Sequence, residues 1–552
     1  MTSISPPVLE IRDLTVDFLS DDAPVRAVDG VSLFVNRGET LCILGESGSG
    51  KSVSSATVLD LLDMPPAEIV SGQILFEGRD LAEMTFDERR QINGRKVAMI
   101  FQDPLAHLNP VYTIGAQICE VFRAHRICDG AEARRRGLEL LKRVGIPDPE
   151  TRFDRYPHEF SGGQRQRIMI AMAIALEPSL LIADEPTTAL DVSIQAQILE
   201  LLLDLQREFG MALVMITHDL EVAAAMADRV IVMRRGRIVE SGEARDVFTD
   251  PRDDYTRRLM AAIPSHDVND GRRSTVPATE NLLDVQGLTK VYQMTSGIFS
   301  PPRSVAAVEG VSFQVGRGET LGIVGESGSG KSSVAKMLIR LVEPTAGRVL
   351  LHGADIYALE GADLMGLRRK VQMVFQDPYS SMNPRMTVEA IISEPWRIHG
   401  DILPRSRWRG RVHELLDLVG LNPDWATRYP HQFSGGQRQR IAIARALACD
   451  PELIICDEAV SALDVSVQMQ VIDLLANLRD RLGLAYVFIT HDLPIVRNFA
   501  DRIIVMRGGK VVETAETQTL FTAPRHDYTK SLLSSSPRPK WERMREQASN
   551  AS

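Results

Sequence analysis

ETLCILGESGSGKSVSSATVLDLL, at residues 39–62, joins a short apolar run to a glycine-rich turn and then to a helical pattern. A glycine-rich turn between a strand and a helix is the context that a phosphate-binding loop (P-loop) requires. Its glycines let backbone N–H groups turn inward around phosphate oxygens, and its lysine is placed to reach the β- and γ-phosphates of a nucleotide. The serine after the lysine is expected to bind Mg²⁺ through its hydroxyl. The segment predicts a nucleotide site formed by Gly45, Ser47, Gly48, Ser49, Gly50, Lys51 and Ser52.

The chain repeats this segment and its other long motifs. GESGSGKS occurs at residues 45–52 and 325–332, FSGGQRQRI at 160–168 and 433–441, and ITHDL at 216–220 and 489–493. A period this long indicates a duplicated whole domain, because solenoid repeats span only about 20 to 50 residues. The second copy predicts a nucleotide site at Gly325, Ser327, Gly328, Ser329, Gly330, Lys331 and Ser332.

Length and composition fit two globular domains and a linker. The 552 residues exceed one ordinary domain of about 100 to 200 residues, and 44% of them are hydrophobic. We place the first domain at 1–263, an exposed polar linker at 264–280, the second domain at 281–536 and a polar tail at 537–552. No run approaches the roughly 18 apolar residues of a membrane span. The formal net charge of -10 argues against a broad surface for nucleic acid.

Several short runs, such as TLCILG, SLLIAD and ALVMIT, are apolar throughout, which predicts strands of a parallel sheet buried on both faces. In each copy one such run ends in two carboxylates. Ligands of open α/β sheets bind at the carboxyl ends of strands. We therefore predict that Asp184 holds Mg²⁺ through water and that Glu185 polarises the attacking water, with Asp457 and Glu458 as the second pair. Such carboxylates could merely cap the next helix, but their coupling to a P-loop favours catalysis.

A histidine also ends an apolar strand in each copy. His218 follows ALVMIT and His491 follows AYVFIT, so both should project toward the same edge of their sheet as the carboxylates. A lone histidine at such a position is more often structural than catalytic. In this company an imidazole could stabilise the charge that develops on the γ-phosphate, so both histidines are predicted to be catalytic.

The SGGQ of each copy has the spacing of a helix capping box, with two glycines inside it. Capping explains the serine and the glutamine but not the glycines, which lower helix propensity. Glycines there let a phosphate approach the N–H groups at the positive end of the helix dipole. The predicted anion-binding residues are Ser161, Gly162, Gly163, Gln164, Ser434, Gly435, Gly436 and Gln437.

Together these motifs resemble the ABC ATPase family over nearly the whole chain. The resemblance implies an α/β fold of two P-loop NTPase domains, each with a RecA-like parallel-sheet core, an antiparallel β subdomain and a helical subdomain. It implies ATP and Mg²⁺ as cofactors, with metal ligands at Ser52, Gln102, Asp184, Ser332, Gln376 and Asp457. Its other site residues correspond to the Q-loops (Gln102, Gln376), the D-loops (Thr188 to Asp191 and Ser461 to Asp464) and the aromatic rings that stack on adenine (Phe18, Tyr292).

The resemblance also implies how such a chain works. Two domains of this family close head to tail on two ATP, so that Lys51 and Ser434 would serve one ATP, and Lys331 and Ser161 the other. The chain would be an ATPase on the cytoplasmic face of the inner membrane, bound to two transmembrane permease subunits. An extracytoplasmic solute-binding protein would be an indirect partner.

Four strings narrow the subfamily. They are FQDPLAHLNP at 101–110, FQDPYSSMNP at 375–384, DPRDDYTRRLMAAIPS at 250–265 and APRHDYTKSLLSSSP at 523–537. All four resemble the ATPases of oligopeptide and dipeptide importers, which implies peptide uptake. Two alternatives stay open: an importer of nickel or opine-like solutes, and a soluble tandem ABC ATPase acting on ribosomes or DNA. The soluble class usually has a long basic insertion or zinc cysteines, and this sequence has neither.

Overall fold

A computed structural model of the chain describes residues 6–19, 23–188, 190–261, 281–294, 303–461, 463–535, 537 and 539–542. The chain divides into two compact units, which we call unit 1 (Met1–Ile263 with Ser536–Ser552) and unit 2 (Pro264–Ser535). The end of the chain therefore belongs with unit 1. The predicted linker at 264–280 lies outside the described residues, as do residues 543–552 of the predicted tail.

The strands of unit 1 follow the apolar runs of the sequence. In the described residues they are β1 (Leu9–Phe18), β2 (Val25–Val35), β3 (Thr40–Leu44), β4 (Ala67–Phe76), β5 (Arg79–Asp80), β6 (Val97–Ile100), β7 (Leu180–Asp184), β8 (Ala212–Ile216), β9 (Arg229–Arg234) and β10 (Arg237–Glu243). The helices are α1 (Lys51–Val58), α2 (Phe86–Ile92), α3 (Pro104–His107), α4 (Ile114–Ala124), α5 (Gly130–Arg143), α6 (Pro149–Arg152), α7 (Gly162–Ala173), α8 (Val192–Phe209), α9 (Leu220–Met226), α10 (Ala244–Thr249) and α11 (Asp254–Ala261).

These strands form two sheets. The antiparallel sheet has the order β2-β1-β4-β5. The other sheet has the order β10-β9-β3-β8-β7-β6, in which β10 is antiparallel to β9 and the other pairs are parallel. Every residue of β3, β7 and β8 is buried, as the continuous apolar runs predict. Helices α3 to α7 lie between β6 and β7 in the chain and make up the helical subdomain.

Unit 2 repeats this arrangement. Its strands are β11 (Asn281–Met294), β12 (Arg303–Gly316), β13 (Thr320–Val324), β14 (Ala346–Leu351), β15 (Ala354–Asp355), β16 (Val371–Val374), β17 (Leu453–Asp457), β18 (Ala485–Ile489), β19 (Arg502–Arg507) and β20 (Lys510–Glu516). Its helices are α12 (Lys331–Leu338), α13 (Gly361–Lys370), α14 (Val388–Ile392), α15 (Glu394–Ile398), α16 (Trp408–Leu418), α17 (Gly435–Leu447), α18 (Val465–Leu482), α19 (Leu493–Phe499), α20 (Thr517–Thr522) and α21 (Asp527–Ser534). The sheet orders are β12-β11-β14-β15 and β16-β17-β18-β13-β19-β20.

The predicted fold class is confirmed: each unit has a largely parallel sheet, an antiparallel sheet and a helical region. Within unit 1 the adjacent strands β3, β8 and β7 are parallel, so their carboxyl ends meet at one edge. The P-loop, His218 and the Asp184–Glu185 pair follow these three strands directly. The topology therefore brings the predicted site residues to one place. Among the described helices, none is both long and apolar enough for a membrane span.

Candidate functional site

The P-loop of each unit leaves the central strand and closes on the start of a helix. Gly50, the N-cap of α1, has a φ of 98°, a left-handed conformation that favours glycine. A Cβ atom added to Gly50 would lie 2.5 Å from the carbonyl oxygen of Ala27. Gly330 has a φ of 100°, and its Cβ would lie 2.3 Å from the carbonyl oxygen of Ala307. Glycine is therefore required here for the loop to close.

The P-loop lysine is enclosed by its own loop in both units. Nζ of Lys51 donates to the carbonyl oxygens of Gly45 at 2.7 Å and Glu46 at 2.9 Å. Lys331 makes the same two contacts in unit 2, at 2.6 and 2.9 Å. The lysines are only 6% and 5% exposed. The positive charge therefore lies inside the loop that is predicted to surround phosphate.

A tyrosine from beyond the sheet contacts each P-loop, which the motifs by themselves do not indicate. The hydroxyl of Tyr255, in α11, accepts a hydrogen bond from the backbone N–H of Glu46 at 3.3 Å. The hydroxyl of Tyr528, in α21, accepts one from Glu326 at 3.3 Å. Both tyrosines come from the DYT triplet that the two post-domain strings share, so the recurrence of this triplet was the available signal.

Asp184 and Asp457 end strands β7 and β17 beside the P-loop serines, and each is 7% exposed. Oγ of Ser332 donates to Oδ1 of Asp457 at 3.1 Å, and Ser52, the counterpart of Ser332, lies beside Asp184 closely enough to lower the pKa of its carboxyl group. Burial raises the pKa of both carboxyl groups, and the serine hydrogen bonds oppose that effect. The predicted metal ligands from the P-loop and from the strand end are thus adjacent in both units.

The surroundings of Asp184 fit a divalent cation. Its Oδ1 is buried and accepts no hydrogen bond from the described residues. A buried carboxylate oxygen in that situation is costly unless a donor or a cation meets it. Mg²⁺ is usually held by one or two carboxylates together with water and substrate phosphates. No cluster of three His, Cys, Asp or Glu that could hold a metal occurs in the described part of the chain.

Three side chains converge on Glu185, which follows β7. Oε2 accepts hydrogen bonds from Nε2 of Gln102 at 2.7 Å and from Oγ1 of Thr188 at 3.0 Å. Nδ1 of His218 lies 2.9 Å from Oε1. The structure thus joins the predicted base, the predicted histidine and the Q-loop residue of unit 1. Gln102 uses its amide N–H₂ for this contact, so its carbonyl oxygen is the atom that would ligate Mg²⁺.

Glu458 has a similar but not identical setting. Its Oε2 accepts a hydrogen bond from Nε2 of Gln376 at 2.6 Å, and Nδ1 of His491 lies 3.4 Å from Oε1. Ser461, the counterpart of Thr188, donates instead to the backbone carbonyl oxygen of Glu458 at 3.0 Å. The D-loop hydroxyl therefore donates a hydrogen bond to the glutamate carboxylate in unit 1 and to the glutamate backbone in unit 2.

The pKa values of both glutamates are lowered. Burial raises the pKa of Glu185, but the hydrogen bond and charge of His218, with the hydrogen bond from Thr188, outweigh it. The hydrogen bond from His491 lowers the pKa of Glu458 by more than burial raises it. Both carboxylates are therefore ionised at neutral pH, as a group that accepts a proton from water must be.

We expect Thr188→Val to slow turnover at the first site about tenfold, because it removes a hydrogen bond that orients the charged base and keeps the side chain's branched shape. The measurement is ATPase activity in a Glu458→Gln background, where the first site alone contributes. Ser461→Ala in a Glu185→Gln background is the matched control and should change activity little. Equal losses in the two backgrounds would contradict the assignment of Thr188.

The two SGGQ motifs begin helices α7 and α17. Ser161 is the N-cap of α7 and Ser434 that of α17, and a reciprocal capping box joins each serine to the glutamine three residues later. These capping boxes involve Gln164 and Gln437 in the way the spacing predicts. The predicted anion-binding role of the motif remains a prediction.

The two glycines of SGGQ differ in what surrounds them. A Cβ on Gly163 would lie 2.5 Å from Cγ2 of Ile194, and one on Gly436 would lie 2.2 Å from Cγ1 of Val467. The close packing of the signature helix on α8 or α18 therefore accounts for the second glycine, a reason that the spacing does not reveal. The first glycine has more space around it, because a Cβ on Gly162 would lie 3.7 Å from its nearest neighbour, Cδ2 of Leu190.

The remaining predicted residues lie at helix N-caps or in the antiparallel sheets. Asp191 and Asp464 are the N-caps of α8 and α18. Phe18 ends β1, where it is half-buried against the apolar core of unit 1. Tyr292 is 38% exposed in β11, and Nζ of Lys290 lies 5.3 Å from its ring centroid. Stacking of these two rings on adenine stays a prediction.

Comparison with known proteins agrees with this geometry. The chain matches the family described as ABC transporter over residues 28–188 and 308–461. It also matches the family described as oligopeptide/dipeptide transporter, C-terminal region, over residues 239–287 and 512–552. The ABC transporter matches begin before each P-loop and extend through each Asp–Glu pair.

Two similar proteins cover nearly the whole chain, and a solved structure covers less than half of it. It is 48% identical over 531 residues to the peptidoglycan transport ATP-binding protein YejF of Agrobacterium fabrum, with 96% of each chain covered. It is 44% identical over 558 residues to the glutathione import ATP-binding protein GsiA of Escherichia coli, covering 96% of this chain and 89% of that one. A solved dimeric structure of the ATP-binding cassette MJ0796 with ADP and Pi is 31% identical, with a TM-score of 0.39, and covers 43% of this chain and 98% of that one. The ABC transporter match and the two near full-length relatives show that this chain belongs to the ABC transporter family, as an ATPase with two ATP-binding domains, each followed by a match to the C-terminal region of oligopeptide/dipeptide transporters.

Proposed function

We propose that this chain is the ATP-hydrolysing subunit of a peptide importer and energises uptake through two transmembrane permease subunits. The observation that carries the proposal is the oligopeptide/dipeptide transporter C-terminal region, which is matched after each ATPase domain. The names of the near full-length relatives refer to peptidoglycan and to glutathione, and both of these molecules contain peptide bonds. The chain would lie on the cytoplasmic face of the inner membrane and reach an extracytoplasmic solute-binding protein only through the permease.

In the proposed mechanism ATP phosphates replace the loop carbonyls as partners of Lys51 and Lys331. Bound Mg²⁺ would neutralise phosphate charge, held by Ser52, Asp184 and Gln102 in unit 1 and by Ser332, Asp457 and Gln376 in unit 2. The ionised Glu185 then accepts a proton from the water that attacks the γ-phosphate, and His218 holds Glu185 in position. Glu458 and His491 act in the same way in unit 2. The support for these roles is the convergence of these side chains at the carboxyl ends of β3, β8 and β7 and of their counterparts.

The coupling surface is proposed to lie in the helical regions that follow Gln102 and Gln376. Nε2 of each glutamine contacts the proposed base, so a movement of this segment changes the surroundings of the reacting water. The segments from Gln102 to Ser161 and from Gln376 to Ser434 would therefore contact the permease subunits.

Affinity purification of the full chain from membranes tests the proposal. Two membrane-spanning proteins should co-purify, and cross-linkers placed in the two helical regions should reach them. Cells lacking the chain should lose uptake of labelled di- and tripeptides and of glutathione, while uptake of nickel stays normal. Loss of nickel or opine uptake alone, or cross-links to ribosomal protein or DNA, would overturn the peptide-importer proposal.

The family resemblance implies that the P-loop of one domain and the SGGQ motif of the other domain bind the same ATP. Combined substitutions test this arrangement. If Lys51 and Ser434 serve one ATP, adding Ser434→Ala to Lys51→Ala should lower the ATPase rate little further, because residues that act as a unit are strongly non-additive. Lys51→Ala with Ser161→Ala should instead damage both sites and be clearly worse than either single change. The rates are measured in the assembled transporter. Non-additivity of Lys51 with Ser161 would mean that each domain completes its own site.

A further inference from the structure

The last described residues of the chain lie against unit 1. Nζ of Lys540 donates to Oδ1 of Asp228 at 2.5 Å. The ring of Trp541 packs against Phe248 in α10, with ring centroids 5.7 Å apart. The side chain of Lys540 is 27% exposed, which is low for a lysine. We call the surface formed by Asp228 and Phe248 the tail-binding surface.

Asp228 has a structural position close to the nucleotide strand. Its Oδ2 accepts a hydrogen bond from the backbone N–H of Thr40, the first residue of β3, at 2.9 Å. Asp501 is the counterpart of Asp228 in unit 2, and its Oδ2 accepts a hydrogen bond from Thr320 at 2.8 Å. The duplication therefore offers an internal comparison of how each unit surrounds the same aspartate.

Unit 2 surrounds its copy of this surface with its own arginines. Arg479, in α18, is 1% exposed, and its Nη1 lies 3.9 Å from Oδ2 of Asp501. The guanidinium of Arg497, in α19, lies 5.2 Å from the ring centroid of Phe521, the counterpart of Phe248. Both the aspartate and the phenylalanine thus have a cationic neighbour from within the unit.

Unit 1 has neither arginine at the corresponding positions. At the same offset of 273 residues, Arg479 corresponds to Gln206 and Arg497 to Ala224. Gln206 keeps the hydrogen bond to the threonine of the nucleotide strand, donating to Oγ1 of Thr40 at 2.9 Å as Arg479 does to Thr320 at 3.0 Å. An amide carries no charge, and an alanine cannot cover an aromatic ring. Lys540 supplies a cation to Asp228 and Trp541 supplies a ring to Phe248, the two kinds of contact that Gln206 and Ala224 do not provide.

We propose that residues 539–542 are a docking segment that completes unit 1. The partner of the tail-binding surface is this chain's own C-terminus, with Lys540 in the electrostatic role of Arg479 and Trp541 in the covering role of Arg497. Unit 2 needs no such segment because its own helices provide both groups. The C-terminus is consequently a structural part of the first ATPase domain, although it follows the second in sequence.

Amide hydrogen exchange of the full-length protein tests this proposal, because exchange reports unit 1 and unit 2 separately. In the double variant Lys540→Ala/Trp541→Ala, amides in residues 229–249 should exchange about five- to tenfold faster. This is the combined effect expected from losing a half-exposed ion pair and an aromatic pair. The counterpart residues 502–522 should be unchanged. Lys530→Ala, which removes an exposed lysine of α21, is the matched control and should alter neither region. Unchanged exchange in 229–249, or equal acceleration in both regions, would overturn the proposal.

Two further variants test the substitution itself. Lys540→Arg/Trp541→Phe keeps a cation and a ring and should retain normal protection of residues 229–249. Gln206→Arg, added to Lys540→Ala, should restore the slow exchange of residues 229–249, because it places at position 206 the positive charge that Arg479 provides in unit 2. Loss of protection in the conservative variant, or failure of Gln206→Arg to restore it, would overturn the assignment of Lys540 and Trp541 as replacements for the arginines.

Discussion

Replacing both Glu185 and Glu458 with Gln should slow ATP hydrolysis by about 10² to 10⁴-fold while ATP binding stays intact, since a general base contributes on that scale. Each glutamate is ionised, lies next to a histidine and accepts a hydrogen bond from the Q-loop glutamine. A glutamine keeps the size of the side chain but cannot accept a proton from water. The double variant should therefore accumulate with ATP bound.

The measurement compares steady-state ATPase activity with retention of labelled ATP in the assembled transporter. Glu83→Gln, at an exposed position of unit 1, is the control for a general effect of removing a carboxylate and should change neither quantity. Each single variant should lose the contribution of one site. Near-normal turnover in the double variant would show that neither glutamate is the base.

Gly50→Ala should abolish nucleotide binding at the first P-loop. An alanine there has to adopt a φ of 98° and places its Cβ 2.5 Å from the backbone carbonyl oxygen of Ala27. The left-handed conformation costs about 1 to 2 kcal/mol, and overpacking against a rigid neighbour adds about 1 to 3 kcal/mol. The loop relieves this strain by moving, and the inward N–H groups that would surround phosphate move with it.

Nucleotide binding is measured in a Lys331→Ala background, where the first site dominates. Gly38→Ala is the matched control: its φ is 73°, but no atom lies within 4 Å of the added Cβ, so it bears the conformational cost without the clash. Gly38→Ala should lower stability slightly and leave binding intact. Equal nucleotide affinity in the two variants would show that close approach to Ala27 does not shape the loop.

Local pattern was sufficient to predict the elements that carry the site. Continuous apolar runs predicted β3, β7 and β8, the glycine-rich turn predicted the start of α1, and the SGGQ spacing predicted the capping boxes of Ser161 and Ser434. None of these patterns predicted the order of the strands in the two sheets, which is set by packing. The roles of the site residues stay predictions that the variants above would test.

The second glycine of SGGQ is required for a reason that its motif does not indicate. A glycine at the start of a helix predicted space for a phosphate, yet the space where a Cβ of Gly163 would lie is occupied by Ile194 of α8. The two residues are 31 positions apart, and no local rule connects them. Thr188 was placed in the D-loop by resemblance, but its hydrogen bond to Glu185 emerged only from the geometry.

The sequence by itself determined the duplicated α/β architecture and the residues at each strand end, because hydrophobic periodicity, glycine turns and capping act over a few residues. Only the tertiary structure decided which distant side chains meet: Gln102 with Glu185, Tyr255 with the P-loop, and Lys540 with Asp228. These contacts join residues 83, 209 and 312 positions apart, and they depend on how strands and helices pack. Packing also decided that residues 539–542 belong with unit 1. Lys540 and Trp541 contact Asp228 and Phe248, which are far from them in sequence and are brought close only by the fold.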